Sequence, residues 1–245
     1  MTEVQFDARA AAVYDETSAV MFEPAVVEPT VDFLADLARG RPALELAIGT
    51  GRIALPLSAR GVEVHGIDIS EPMVDRLRSK PGSERIDVTI GDFATTRVDG
   101  AFGLVYLVFN TIGNVETQDE QVDIFCNAAA HLEPGGVFVI EVGIPQLQRL
   151  PPGDRSHVAE LSPTHVCVDE FELSDQIEWS HHWYMADGHW EHFSGAYRYV
   201  WPAELDLMAR IAGLRLRERV GGWDRSRFTS KSGMHVSVWE KPHTD

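Results

Sequence analysis

The sequence predicts an α/β fold: a mostly parallel, seven-stranded sheet with helices on both faces, carrying an antiparallel β insertion after its fifth strand. Three observations lead there. A short apolar run, Ala43 to Ile48, breaks into Gly49-Thr50-Gly51 and then into a helix-like pattern from Arg52 to Arg60. Further apolar runs at 62–68, 86–90, 102–109 and 137–142 alternate with helical stretches, the rhythm of parallel strands joined by crossovers. Between 155 and 200 that rhythm gives way to alternating polar and aromatic residues, the period of antiparallel strands.

Each element has its own signature. Ala8 to Asp15 and Pro24 to Gly40 read as two leading helices, the second with Val27, Val31, Leu34 and Leu37 on one face and a break expected at Pro29. Ser70 is placed to cap a helix carrying Met73, Val74 and Leu77, and Thr117 with Glu120 has the spacing of a capping box. Phe102 to Phe109 is almost wholly apolar, as a central parallel strand buried on both faces requires. Pro134-Gly135-Gly136 is expected to separate the helix 117–132 from the fifth strand. Ile177 to Met185 and His189 to Val200 flank Asp187-Gly188, a strong hairpin signal that pairs Trp183 with His192 and Met185 with Trp190. His181 and His192 then share one face of the hairpin, and His182 and Tyr184 the other. A helix from Pro202 to Gly213 and strands at 214–220 and 235–241 finish the chain. The organisation expected is a helical cover at 1–42, a Rossmann-like ligand-binding core at 43–145, the insertion at 146–200 and a closing unit at 201–245.

Composition narrows the function. At 245 residues, 44% hydrophobic and 24% charged, the chain has the balance of an ordinary globular protein. Its formal net charge of −17 disfavours nucleic acid and anionic membrane surfaces as partners and favours a small-molecule acceptor. No basic start followed by an apolar stretch marks a leader, Cys126 and Cys167 suggest no pairing, and a cytoplasmic location is expected.

Gly49-Thr-Gly51-Arg-Ile-Ala54 fits the dinucleotide fingerprint in its Gly-x-Gly-x-x-Ala form, with Asp68 at ribose distance in sequence. On that motif alone a nicotinamide-dependent reductase stays open. Glu45 inside the first strand, Asp92-Phe93 after the third, and Leu132-Glu-Pro-Gly-Gly136 before the fifth point elsewhere. Through these pieces, from Ala43 to about Glu141, the chain resembles a class I S-adenosylmethionine-dependent methyltransferase. The family's motif is acid-x-Gly-x-Gly-x-Gly, here Glu45, Ala47, Gly49 and Gly51, with alanine at the first glycine position. A methyl group inside the strand is expected to be harmless there.

The resemblance implies S-adenosylmethionine as cofactor and S-adenosylhomocysteine as product. Gly49, Thr50 and Gly51 would lie near the methionine part, Asp68 on the ribose hydroxyls, Met73 along the adenine, and Asp92 and Phe93 at its edge and face. Glu45, Ala47, Ile69 and Phe109 complete the implied cofactor set. Methyl transfer to N, O or an electron-rich carbon of a small molecule follows, with an aromatic or heterocyclic secondary metabolite as the expected acceptor. A catalytically silent, methyltransferase-like binding subunit is the non-enzyme alternative.

Tyr14 in the leading helix, Asn114 in the loop after the fourth strand, and His181 and His182 in the hairpin are the candidate catalytic groups. Trp183, Tyr184, Trp190, Trp223 and Arg225 are the candidate acceptor contacts. A narrower resemblance is to deoxysugar N-methyltransferases of macrolide pathways, whose corresponding loop ends in histidine where this chain has Asn114. Asparagine cannot take that proton. No metal is expected, because the hairpin pattern splits the histidines between two faces. The same aromatic hairpin reads equally as an acceptor wall or as a homodimer contact.

Overall fold

The computed structural model describes residues 6–186 and 188–243. Helices α1 (Ala8–Thr17) and α2 (Pro24–Ala38) lead into β1 (Ala43–Leu46), α3 (Ala54–Ala59), β2 (Val64–Asp68), α4 (Glu71–Arg78), β3 (Ile86–Ile90), β4 (Phe102–Leu107), α5 (Gln118–His131) and β5 (Leu132–Gly143). Strands β6 (Ser156–Leu161), β7 (His165–Glu172), β8 (Ile177–Ala186) and β9 (His189–Arg198) follow, then α6 (Pro202–Ile211), β10 (Arg215–Val220) and β11 (Met234–Glu240). The main sheet has seven strands in the order β10-β11-β5-β4-β1-β2-β3; β6 to β9 form a separate four-stranded antiparallel sheet. Both sheets are those the sequence predicts.

The chain winds outward from β1 to β3 and then returns to build β4 and β5 on the other side of β1. The carboxyl ends of β1 and β4 therefore flank the switch point, where open α/β sheets bind ligands. Every residue of β4 is buried. One apolar core lies under α5 and α6 around Phe125, Phe138 and Trp239, and a second under α2 and α3 around Phe33, Leu34 and Leu57. The predicted caps form: Ser70 Oγ accepts from the Met73 N–H, and Thr117 and Glu120 make the reciprocal capping box.

Two boundaries differ from expectation. Helix α2 runs through Pro29 without restarting; so near the amino end, a missing N–H costs one intrahelical bond. Strand β5 begins at Leu132 rather than Val137, because Leu132 pairs with Phe102 before the register shifts and Leu104 pairs with Val137. Gly135, at φ +75, absorbs that irregularity while its N–H bonds Lys241 O at 2.8 Å.

In the small sheet Trp183 pairs with His192 and Met185 with Trp190, the register expected from the hairpin signal; Asp187 itself lies outside the described residues. A buried polar knot fastens this sheet to the main one. The Arg198 guanidinium, at the end of β9, donates to Gln121 Oε1 of α5 and, at 2.8 Å, to Glu204 of α6. Gln121 Nε2 in turn donates to Ile112 O at 3.1 Å and Arg198 O at 3.2 Å, and Gln176 closes the knot on Glu204 at 2.9 Å.

Candidate active site

The glycine turn sits at the switch point. Gly49 and Gly51 take φ of +56 and +81, conformations that strain any side chain, and a Cβ on Gly51 would press on Leu77 at 3.0 Å. Ala47 also has positive φ, +55, and lies beyond the end of β1 rather than inside it. The expected harmless methyl is thus a strained one: the position asks for glycine because of its backbone, and alanine there stores about 1 kcal/mol. Asp68 at the end of β2 draws the turn in. Its Oδ2 accepts from the Gly49 N–H at 2.7 Å and its Oδ1 from the Ser70 N–H at 2.8 Å, while burial pushes its carboxyl above the usual range. Met73 packs beside Gly49, and Ile69 is left 49% exposed next to Asp68.

Glu45 lies beneath the turn, 2% exposed, accepting from the Tyr106 hydroxyl at 2.9 Å. Burial raises its carboxyl to about 8, against the opposing effects of Tyr106 and the Arg52 guanidinium. It meets the turn from inside the protein. Thr50 is also buried, and its hydroxyl donates to Asp15 at 2.6 Å. Phe93 is part of the core under α5, which leaves Asp92 as the exposed group after β3, its Oδ1 accepting from the Ala94 N–H at 2.8 Å.

Across the switch point β4 ends in two consecutive residues at positive φ, Phe109 at +62 and Asn110 at +57. Such strain persists only where the surroundings over-determine it. Here the Phe109 N–H is held by Glu141 Oε2 at 2.7 Å, and Asn110 Oδ1 accepts from the Gly143 N–H at 3.0 Å. The result presents the Phe109 ring, 39% exposed, with the Arg52 guanidinium 5.0 Å from its centre. Asn114 follows, half-buried, in a single turn of 3-10 helix.

Helix α1 covers this region. Asp15 accepts from Thr50 and pairs with Lys80 at 2.5 Å, and Lys80 also donates to Thr50 O at 2.8 Å. Tyr14 packs edge-on against Phe6 at 5.8 Å, and burial raises its phenol despite the Arg52 charge. Lys80 and Glu141 carry no sequence signal, since each acts on a backbone group far away in the chain.

The small sheet turns one face toward this cover. Its inner face carries His165, Cys167, Asp169, Glu178, Ser180, His182, Tyr184, Glu191 and Tyr197, by the pairing of β7, β8 and β9. Arg9 of α1 reaches Glu191 at 2.8 Å, and Tyr197 lies close enough to Tyr14 to raise its phenol. The alternation places His181, Trp183 and Trp190 on the opposite, outer face, where Trp183 stacks on His192 at 4.8 Å. Of the hairpin residues proposed from sequence, His182 and Tyr184 therefore face inward and the other three do not. Trp223 and Arg225 are engaged elsewhere: Trp223 packs on Phe33 at 5.3 Å, and Arg225 lies over the same ring while pairing with Asp36 and Glu218. Among the described residues no cluster of three or more His, Cys, Asp or Glu is arranged to hold a metal, and no helix is long and apolar enough to cross a membrane.

An exposed apolar pair, Ile69 and Phe109, thus flanks a positive-φ turn at the end of β1, with carboxylates at the ends of β2 and β3. Such a cradle suits a nucleoside with a hydroxylated ribose, held by an apolar pair and two carboxylates. A methyltransferase domain model matches residues 43–136. The chain belongs to the class I S-adenosylmethionine-dependent methyltransferases, an assignment that rests on a full-length structural relative. The CcbJ methyltransferase from Streptomyces caelestis is 39% identical, with 95% of this chain and 96% of that one covered and a TM-score of 0.84. The cypemycin N-terminal methyltransferase of a Streptomyces species is 26% identical over 94% of this chain and 98% of its own length. A dTDP-3-amino-3,4,6-trideoxy-α-D-glucopyranose N,N-dimethyltransferase from Streptomyces venezuelae is 31% identical over 44% of this chain and 47% of its own length. The protein is an enzyme that uses S-adenosylmethionine, and the reductase and silent-subunit alternatives are not favoured.

Proposed function

We propose that the enzyme methylates an amine nitrogen of a small secondary metabolite, bound between the Phe109 loop and the inner face of the small sheet. The observation that carries this reading is the charge of that face. Asp169, Glu178 and Glu191 lie on it, Glu191 meeting Arg9 of α1, and among the described residues no lysine or arginine of the small sheet shares it, Arg198 having the opposite parity. Burial, with Asp169 beside it, raises Glu178 to about 7, a strain that a cationic guest relieves. Alkylamines are cations at neutral pH. Two of the relatives above are named as an N-terminal methyltransferase and as an N,N-dimethyltransferase of an amino sugar.

In this reading Gly49 and Gly51 line the methionine end of the cofactor, Asp68 takes the ribose hydroxyls with its remaining lone pairs, and Ile69, Met73 and Asp92 border the adenine. Glu45, Ala47 and Thr50 shape the turn from behind. S-adenosylmethionine supplies, when bound, a methyl group already activated on a sulfonium. The chain's task is to hold the acceptor nitrogen in line and deprotonated, and to exclude water. Tyr14 closes one side and Phe109 the floor; Tyr184 and His182 contact the acceptor from above. Asn114 supplies a hydrogen bond rather than a base, and the outer face with Trp183 and Trp190 is left for a homodimer contact.

The test is incubation with methyl-labelled S-adenosylmethionine and a panel of paired probes: an alanyl peptide amide, prolinamide and a methyl amino-glycoside, each beside its hydroxyl counterpart, with a phenol added. Label is expected in amines alone. Label in the phenol or the hydroxyl compounds and none in amines would overturn the assignment.

A further inference from the structure

Resting on the amine reading, we propose that His165 and His182 form a proton-accepting pair, set by Glu160, that takes the acceptor's proton through the Tyr184 hydroxyl. The argument follows the hydrogens along the inner face. Ser180 donates its hydroxyl proton to Asp169 Oδ1 at 2.8 Å, so the contact of 3.1 Å between Ser180 Oγ and His182 Nε2 requires His182 to donate there. At the other end His165 Nδ1 lies 3.1 Å from the Glu160 carboxylate and must donate to it. With both protons so placed, the nitrogens that remain are His165 Nε2 and His182 Nδ1. They face each other at 3.0 Å, with ring centres 5.3 Å apart and planes within 11°. Two lone pairs aimed at one another across that distance repel, and a single added proton turns the repulsion into a charge-assisted hydrogen bond.

The geometry is therefore complementary to the pair after it has gained a proton. Tyr184 stands at the opening: its hydroxyl is 3.3 Å from His182 Nδ1, and its ring stacks on His165 at 4.2 Å. In the transfer, the N–H bond of the acceptor's ammonium breaks and its electron pair stays on nitrogen as the lone pair needed for attack. The proton bonds to the Tyr184 oxygen as that hydroxyl's own proton passes into the gap between the imidazoles. Charge balances, with one cation moved from substrate to the pair, between two carboxylates.

Burial lowers the His182 pKa and the neighbouring His165 lowers it further, while the Asp169 and Glu160 carboxylates raise it. The charged and titratable groups around it are His157 and Glu160 from β6, Cys167 and Asp169 from β7, Glu178, His181 and Tyr184 from β8, and Glu191 and Tyr197 from β9, with Glu191 already paired with Arg9 of α1. Glu160 sets the pair's proton affinity from the edge strand of the inner face, where its side chain is largely exposed and pairs with His165. It is a positioning residue, and its replacement leaves no buried gap.

Histidine-detected nitrogen NMR of the full chain saturated with S-adenosylhomocysteine tests the pair without any acceptor. His165 Nε2 and His182 Nδ1 are expected to gain one shared proton in a single step; E160Q moves that step down by about one pH unit and H165Q abolishes it. Independent titration of the two rings, or an unmoved midpoint in E160Q, would overturn the proposal. The second measurement is the pH profile of kcat with the panel amine that takes label. Its acid limb should coincide with the NMR step and shift down in E160Q, and H165Q should lose roughly 100-fold in kcat with little change in cofactor KM. A profile unmoved by both variants rejects the catalytic role. If no amine takes label, the amine reading fails and the relay's use fails with it; if the NMR step alone is missing, the amine reading stands.

Discussion

The two sheets of this enzyme bury their residues by different rules. In the main sheet both faces are covered by helices, so β4 is apolar throughout and any acid within the layer stands out, as Glu45 does. In the small sheet each strand alternates, and polar residues are ordinary; only the parity of a position tells whether it faces the α1 cover or the outside. The proposed site accordingly draws on the strand ends of the first sheet and on one face of the second. The Arg198 knot joins the two.

That contrast can be tested at several points. The largest effect is expected from Arg198→Leu, which strands Glu204 and Gln121 in a buried site and should cost about 3–5 kcal/mol in denaturant unfolding. Hydrogen exchange should accelerate in β8 and β9 far more than in β1 and β4; equal acceleration would mean that the sheets do not behave as separate units. Asp68→Ala removes a charged acceptor and should lower S-adenosylhomocysteine affinity by about 2–3 kcal/mol in calorimetry, with the circular dichroism spectrum unchanged. Affinity within twofold of the parent would exclude a ribose contact.

The pH dependence of stability separates the buried groups. Glu45 has a folded pKa raised from 4.5 to about 8, so between those values the native chain keeps a proton the unfolded chain has released. Its contribution falls as pH rises through that window and is gone above 8. His235, lowered from 6.5 to about 4 by burial and then Arg219, acts in the opposite sense and only below 6.5. Net stability is therefore expected to decline from pH 6.5 to 8, and Glu45→Gln should flatten most of that decline, leaving the smaller part due to Glu178. A decline as steep as in the parent would assign it elsewhere. The smallest effect is expected from Ala47→Gly: relief of a positive φ, offset in part by a more flexible unfolded chain, should stabilise by about 0.5–1 kcal/mol and raise Tm slightly. A lowered Tm would show that the alanine methyl packs well enough to repay its strain.

Much of this was legible beforehand because it depends on local rules. Periodicity placed the strands within a few residues, Ser70 and Thr117 announced their caps, and Asp187-Gly188 set the pairing of β8 with β9, hence the separation of His181 from His182. Where local rules met a tertiary demand they failed. Ala47 looked like a strand residue, yet the turn required positive φ. Trp183 and Trp190, candidate acceptor contacts by sequence, lie on the face opposite His182 and Tyr184, and aromatic rings on a two-faced sheet carry no label saying which face is inside. Trp223 and Arg225 lie in a loop that reaches the correct edge of the main sheet and then folds back on α2.

The sequence by itself determined the fold and the positions of the turn and its acids, because strand period, glycine conformation and charge in an apolar run are properties of neighbouring residues; the cofactor came with the family resemblance those pieces carry. Only the tertiary structure decided which imidazoles meet, which carboxylates hold them, and how Lys80, Glu141 and Arg198 clamp backbone and side chains from afar. Those contacts join residues up to 77 positions apart, as Arg198 and Gln121 show, and a contact of that range leaves no pattern in either segment until both are folded.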